Sequence, residues 1–180
     1  MRRIIVHLLR GNAARAHEDI TKDLTSKFDT FPLHDRITPH LTIKRWFELD
    51  DKGMKALYLC LDNFIQSQNQ SDYVLSGFGS FGKEVIYVDV VPSKETLSTV
   101  HDLMNKLRDI QGLTFDKFDE IEDDLHATVA MTALKPFDYE QIWSYLKAGV
   151  QPNFNMKFDN LAVLKRTEDR WVTERVWEIK

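Results

Sequence analysis

Apolar residues recur along this chain in two rhythms, a short extended one and a helical one, and the two alternate from end to end. Arg2 to Arg10 carries Ile4, Ile5, Val6, Leu8 and Leu9 in a run too short for a helix, so it reads as a first strand. Asn12 is then placed to cap a helix running to about Phe28. A loop containing Pro32 and Pro39 follows. From Asp51 to about Gln68, Met54, Leu57, Tyr58, Leu61, Phe64 and Ile65 return at helical spacing and predict one apolar face. Tyr73 to Phe81 and Glu84 to Val91 read as strands, with Gly82-Lys83 as a tight turn that needs a positive φ at the glycine, hence an antiparallel hairpin. A second helix starts after Pro92-Ser93, with Leu97, Val100, Met104 and Leu107 on one stripe.

The order then repeats. Phe137 to about Lys147 places Ile142, Trp143 and Leu146 at helical spacing, and Phe154 to Lys165 and Trp171 to Ile179 read as strands around the polar turn Thr167-Glu168-Asp169. The chain therefore reads as internally duplicated. Residues 1–180 are expected to form a single bilobal domain of the α+β class, its two pseudo-twofold-related lobes each an antiparallel sheet with helices outside, around a central cleft. No Gly/Ser-rich or Pro-rich linker separates the halves, which argues for a continuous core.

At 180 residues the chain can bury a sizeable core without metal or disulfide. Cys60 is its single cysteine, so no intrachain disulfide forms, and the His, Cys, Asp and Glu spacings match none of the usual zinc patterns; no cofactor and no metal are expected. Ile4 to Leu9 is too short for a membrane span or a signal segment, so the sequence reads as soluble and cytoplasmic. A net charge of -4 speaks against a protein that grips long nucleic acid through many phosphates, and leaves a nucleotide or a short RNA end as the expected partner.

Two segments carry the chemistry: His40-Leu41-Thr42-Ile43 and His126-Ala127-Thr128-Val129, at matching places in the duplicated order. On a strand, the two-residue repeat puts His and Thr on one face while Leu41, Ile43, Ala127 and Val129 point into a core. Two imidazoles facing one cleft form a general acid and a general base near neutrality, and two hydroxyls can hold non-bridging phosphate oxygens. In-line displacement at phosphorus suits that set, above all the opening of a strained 2′,3′-cyclic phosphate. His7 in an apolar strand, His17 and His101 on predicted helices and His34 in a loop have no such partners and receive no role.

These residues resemble the 2H phosphoesterases, and within them the 2′-5′ RNA ligase and 2′,3′-cyclic phosphodiesterase-like proteins. Pro39 to Ile43, His126 to Val129 and the supporting Ser76-Gly77-Phe78-Gly79-Ser80-Phe81 stretch carry the resemblance, which extends over the whole chain. It implies a bilobal fold with the two His-x-Thr strands lining a groove, His40 and His126 as catalytic residues, and Thr42 and Thr128 as phosphate ligands. Asp124-Leu125 stands before the second motif where many members have a proline. The implied activity is hydrolysis of cyclic phosphates, with 2′-5′ ligation or a non-catalytic nucleotide-binding module as alternatives.

Further residues are candidates for substrate contact. Lys44 continues the alternation of His40 and Thr42, whereas Arg45 needs a bulge to face the cleft. Phe78, Phe81, Tyr87 and Trp46 could stack on a base, and Lys165 and Arg166 could meet a phosphate. The acidic run Asp116, Asp119, Glu120, Glu122, Asp123, Asp124 reads as a solvated loop. Carboxylates from it that approach His126 would favour its protonated form.

Overall fold

In a computed structural model of the chain, which describes residues 1–117, 119 and 124–180, thirteen elements follow one another. β1 (Arg3–Leu8) leads into α1 (Gly11–Phe28), the single turn α2 (Leu33–Arg36), β2 (His40–Phe47) and α3 (Asp51–Ile65). After them come β3 (Ser71–Phe81), β4 (Val85–Pro92), α4 (Lys94–Arg108), β5 (His126–Met131), α5 (Tyr139–Ala148), β6 (Asn153–Phe158), β7 (Asn160–Arg166) and β8 (Trp171–Glu178).

Short polar side chains start three of the helices. Asp50 accepts from the amide of Gly53 at 2.7 Å, Ser93 from that of Thr96 at 3.1 Å and Asp138 from that of Gln141 at 3.2 Å, each satisfying an amide that the first turn leaves without a partner. α1 is different. It begins at Gly11 with no side-chain cap, and Asn12, expected as its cap, accepts from Arg15 instead. Gly82 takes the positive φ, 53°, that the hairpin between β3 and β4 requires.

The strands form two four-stranded antiparallel sheets, ordered β2-β1-β7-β8 and β5-β4-β3-β6. The duplication is β1-α1-β2-α3 against β4-α4-β5-α5, and each motif strand lies at an edge of its sheet beside the strand that opens its half. The later strands cross over. β3 joins the sheet of β4 and β5, while β7 joins that of β1 and β2, so each lobe is built from both halves and neither can close alone.

This crossing corrects one expectation. The apolar stretch from Phe154 to Lys165 is two strands in different sheets, joined at Asp159. Asn160 seals the junction: its side-chain amide accepts from the backbone N–H of Leu8 at 2.9 Å and donates to the carbonyl of Leu8 at 3.1 Å, doing for the end of β1 what a neighbouring backbone would do. Beside it, buried His7 joins the sheets, donating from Nδ1 to the carbonyl of Asn160 and accepting at Nε2 from the hydroxyl of Tyr73, both at 2.9 Å. Burial holds this imidazole at about 4, so it is neutral.

A large core runs between the sheets and helices and includes Ile5, Leu41, Phe64, Leu75, Val88, Ala127, Val129 and Leu161. A smaller cluster, Ile4, Val6, Ala162 and Leu164, occupies the opposite face of the first sheet, the face to which His40 and Thr42 belong.

Candidate functional site

Each motif strand is anchored by its alternate residues. Leu41, Ile43, Ala127 and Val129 are buried in the main core, which turns His40, Thr42, His126 and Thr128 to the other side, all four half-buried. Register agrees: Leu8 stands opposite His40 and Val6 opposite Thr42, while Asp89 stands opposite His126 and Tyr87 opposite Thr128. Edge strands β2 and β5 lie against one another, so the two His-x-Thr faces border one groove.

The two histidines are held alike. His40 Nδ1 lies 2.8 Å from the carbonyl oxygen of Thr38, and His126 Nδ1 lies 2.6 Å from that of Asp124, in each case the residue two positions earlier. A carbonyl only accepts, so Nδ1 carries the proton in both rings and Nε2 is left to meet a ligand. Their electrostatic surroundings differ. Loss of solvent drives His40 down to about 4, the bond to Thr38 opposes this, and the neighbouring imidazoles of His17 and His126 add to it where they are protonated. His126 is lowered by loss of solvent too, but the carbonyl of Asp124 and the carboxylates of Asp124 and Asp89 pull the other way, with Arg45 opposing them. His40 thus has two other imidazoles as neighbours, of which His17 is neutral by burial, whereas His126 has chiefly carboxylates.

Aromatic rings support the second histidine. Phe81 meets the His126 ring edge-on at 4.8 Å, Tyr87 lies 5.0 Å from it, and Phe81 and Tyr87 are 4.6 Å apart. The Tyr87 ring lies over Gly79, where a Cβ would come within 2.4 Å of it. Of the aromatic candidates, then, Phe81 and Tyr87 stand beside His126. Phe78 does not: the shift in the β3–β4 ladder sets it opposite Val88 and buries it in the main core, which corrects its assignment as a substrate contact.

Lys44 is corrected as well. The ladder between β1 and β2 slips after Thr42, so that Lys44 stands opposite Ile5 on the core side of the sheet instead of continuing the alternation of His40 and Thr42. It is 1% exposed, and its ammonium donates to Asp119 at 2.9 Å. Asp119 also accepts from the backbone amides of Arg45 at 3.2 Å and Asp116 at 2.9 Å, so this member of the acidic run is a buried clamp rather than a solvated residue. Glu120, Glu122 and Asp123 lie outside the described residues. The same slip supplies the bulge that Arg45 needs: its guanidinium is close enough to act on His126, and it pairs with Asp116 at 3.6 Å.

Lys165 stands opposite Arg3 on the core-side face and approaches Glu174 at 3.9 Å, so it does not join His40 and Thr42, again contrary to expectation. Arg166, one residue on, belongs to the groove face. Missed by sequence reasoning was His17. It is buried on α1, its Nε2 donates to the carbonyl of Thr128 at 2.9 Å, and burial holds it at about 4. A helical histidine in a lone position gave no signal of this, because the contact joins residues 111 positions apart.

A hollow of about 1010 Å³ opens elsewhere, between α3 and α4, lined by Leu49, Cys60, Phe64 and Ile110 among others; none of the groove's histidines touches it. Among the described residues, no three or more His, Cys, Asp or Glu side chains are grouped to hold a metal ion, and no helix is long and apolar enough to cross a membrane.

Two antiparallel sheets that set a pair of His-x-Thr strands edge to edge define a bilobal α+β fold of the two-histidine phosphoesterase type. The profile of the 2′-5′ RNA ligase superfamily matches residues 11–170, and the chain belongs to that family. The protein TT0787 of Thermus thermophilus has a similar structure, with a TM-score of 0.70 at 12% identity over 99% of this chain and 98% of that one. LigT of E. coli, solved with 3′-AMP, gives 0.63 at 14% identity over 99% and 97%. A structure described as a phosphoesterase gives 0.64 at 15% over the same shares. No curated protein matches the chain.

Proposed function

We propose that this 2H phosphoesterase opens 2′,3′-cyclic phosphates of nucleotides or RNA ends by acid–base catalysis between His40 and His126. The observation that carries this reading is that His40 and His126, at the starts of two adjoining edge strands, make matching Nδ1 bonds to Thr38 and Asp124 that turn both Nε2 atoms to a ligand. His40, held neutral by loss of solvent, serves as the base and takes a proton from water as its oxygen attacks phosphorus. The P–O bond to one ribose oxygen breaks, and His126, whose cation Asp124 and Asp89 support against the loss of solvent, gives its proton to that oxygen. Exchange with water then restores both rings, and the product is a phosphomonoester. Thr42 and Thr128 donate to the non-bridging oxygens, Arg45 adds charge where the phosphorane becomes more anionic, and Tyr87 and Phe81 offer an aromatic wall to the base. LigT was solved with 3′-AMP and with phosphate, ligands of the chemistry proposed here.

The family match favours a second reading of the same groove, in which a 5′-hydroxyl replaces water as the nucleophile and a 2′-5′ phosphodiester results. Incubating the purified protein with 2′,3′-cyclic nucleotides in EDTA separates the outcomes. Release of nucleoside monophosphate is expected; no turnover of any cyclic phosphate, with or without added divalent metal, overturns the proposal.

A further inference from the structure

The groove face of the first sheet does not end at Thr42. Four residues along β1 from Val6, about 13 Å away at the rise of a strand, lies a row formed by Arg2, Arg166 and Trp171, with Trp46 at its side. Phe47 is in the core opposite Arg3, so Trp46 faces the groove side, where it is 50% exposed. The guanidinium of Arg2 lies 4.7 Å from the Trp46 ring and that of Arg166 lies 5.9 Å from the Trp171 ring. The two arginines are held side by side by the bond from the amide of Arg166 to the carbonyl of Arg2 at 2.9 Å. Arg36 of α2 reaches the same end, donating to the carbonyl of Asp169 at 3.1 Å.

We propose that this Arg–Trp row holds the single-stranded polynucleotide that precedes the reacting phosphate, so that the substrate is an RNA end rather than a free nucleotide. The inference rests on the cyclic-phosphate reading above. A guanidinium beside an indole offers a surface on which a base stacks and a charge for the neighbouring phosphate, the combination that sequence-tolerant single-strand binding uses. Because Arg2 and Arg166 lie about 13 Å along the sheet from Thr42, the row suits the nucleotides that precede the reacting phosphate. Charge selects this exit: Asp89 and Asp124 border the groove on the His126 side and repel a polyanion, whereas the far end of the first sheet presents Arg2, Arg36, Arg166 and Arg170 with Glu48 and Asp169 as partners. The track is short, in keeping with a net charge of -4.

The test compares two substrates, a 2′,3′-cyclic mononucleotide and a ten-nucleotide single-stranded RNA ending in the same cyclic phosphate, on the full chain and on Trp46→Ala and Arg166→Ala variants. For the parent, KM for the oligonucleotide is expected roughly tenfold or more below that for the mononucleotide, with the gap narrowing as salt rises. Each variant is expected to raise the oligonucleotide KM about tenfold and to leave kcat/KM for the mononucleotide unchanged. Equal KM values for the two substrates in the parent, or equal losses on both in the variants, overturn the track. If neither substrate turns over, the cyclic-phosphate reading fails, and fluorescence anisotropy of the labelled oligonucleotide decides the track separately: binding weakened by either substitution supports it, and no binding by the parent overturns it.

Discussion

His17 on the first helix donates to the backbone carbonyl of Thr128 in the second motif, at 2.9 Å. An edge strand has one ladder partner only, and this bond fastens the free side of β5 to α1. His17→Leu leaves a buried carbonyl without its donor and is expected to cost about 1–3 kcal/mol in chemical denaturation and to lower kcat for cyclic phosphate more than it raises KM. His17→Gln keeps an N–H at that reach and is expected to recover most of both. Full activity in the leucine variant contradicts the positioning role.

His40→Ala and His126→Ala are each expected to lower kcat by about 10²- to 10⁴-fold with the fold retained by circular dichroism. The two differ on a nucleoside p-nitrophenyl phosphodiester, whose phenolate leaves without a proton: His126→Ala should regain most of the parent rate there and His40→Ala should not. The opposite pattern reverses the acid and base assignments.

The pH profile follows from the same surroundings. His40 is held at about 4 and His126 below its ordinary 6.5, so kcat/KM is expected to be bell-shaped with its maximum between about 4 and 6.5, the limbs belonging to the coupled pair. Removing a carboxylate that favours the His126 cation, by Asp89→Asn, is expected to move the alkaline limb to lower pH. A maximum above about pH 8 refutes the scheme.

Gly79→Ala tests the aromatic support of His126. A methyl group there comes within 2.4 Å of the Tyr87 ring and must push it aside. Because that ring is half-buried and can swing outward, activity is expected to fall severalfold with little change in melting temperature. An unchanged rate shows that Tyr87 does not position the histidine.

Stability is expected to decline in mild acid. His7 and His17 are neutral in the fold, with values lowered from 6.5 to about 4, so their contribution is complete above pH 6.5 and is lost as pH falls from 6.5 towards 4, where the unfolded chain binds the extra protons. Each contributes a slope of about 1 kcal/mol per pH unit in that window. Urea unfolding across the window measures it, and His7→Gln is expected to reduce the slope.

Local chemistry in the sequence determined the helices capped by Asp50, Ser93 and Asp138, the hairpin turn at Gly82, the anchoring of both motif strands by Leu41, Ile43, Ala127 and Val129, and with them the shared orientation of His40, Thr42, His126 and Thr128. All of these depend on neighbours within about four positions, where periodicity and capping act. Only the tertiary structure decided the rest. The hand-over at Asp159 is invisible in an apolar run, because strands of either sheet read alike and the choice between them lies in pairing with β1 or β3. The slip after Thr42 that buries Lys44 against Asp119 and swings Arg45 towards His126 arises from mismatch with the partner strand, a property of two strands together. The roles of His17 and of the Arg2–Trp46 and Arg166–Trp171 row were set in the same way, by residues far apart in the chain that meet only when both halves close on one another.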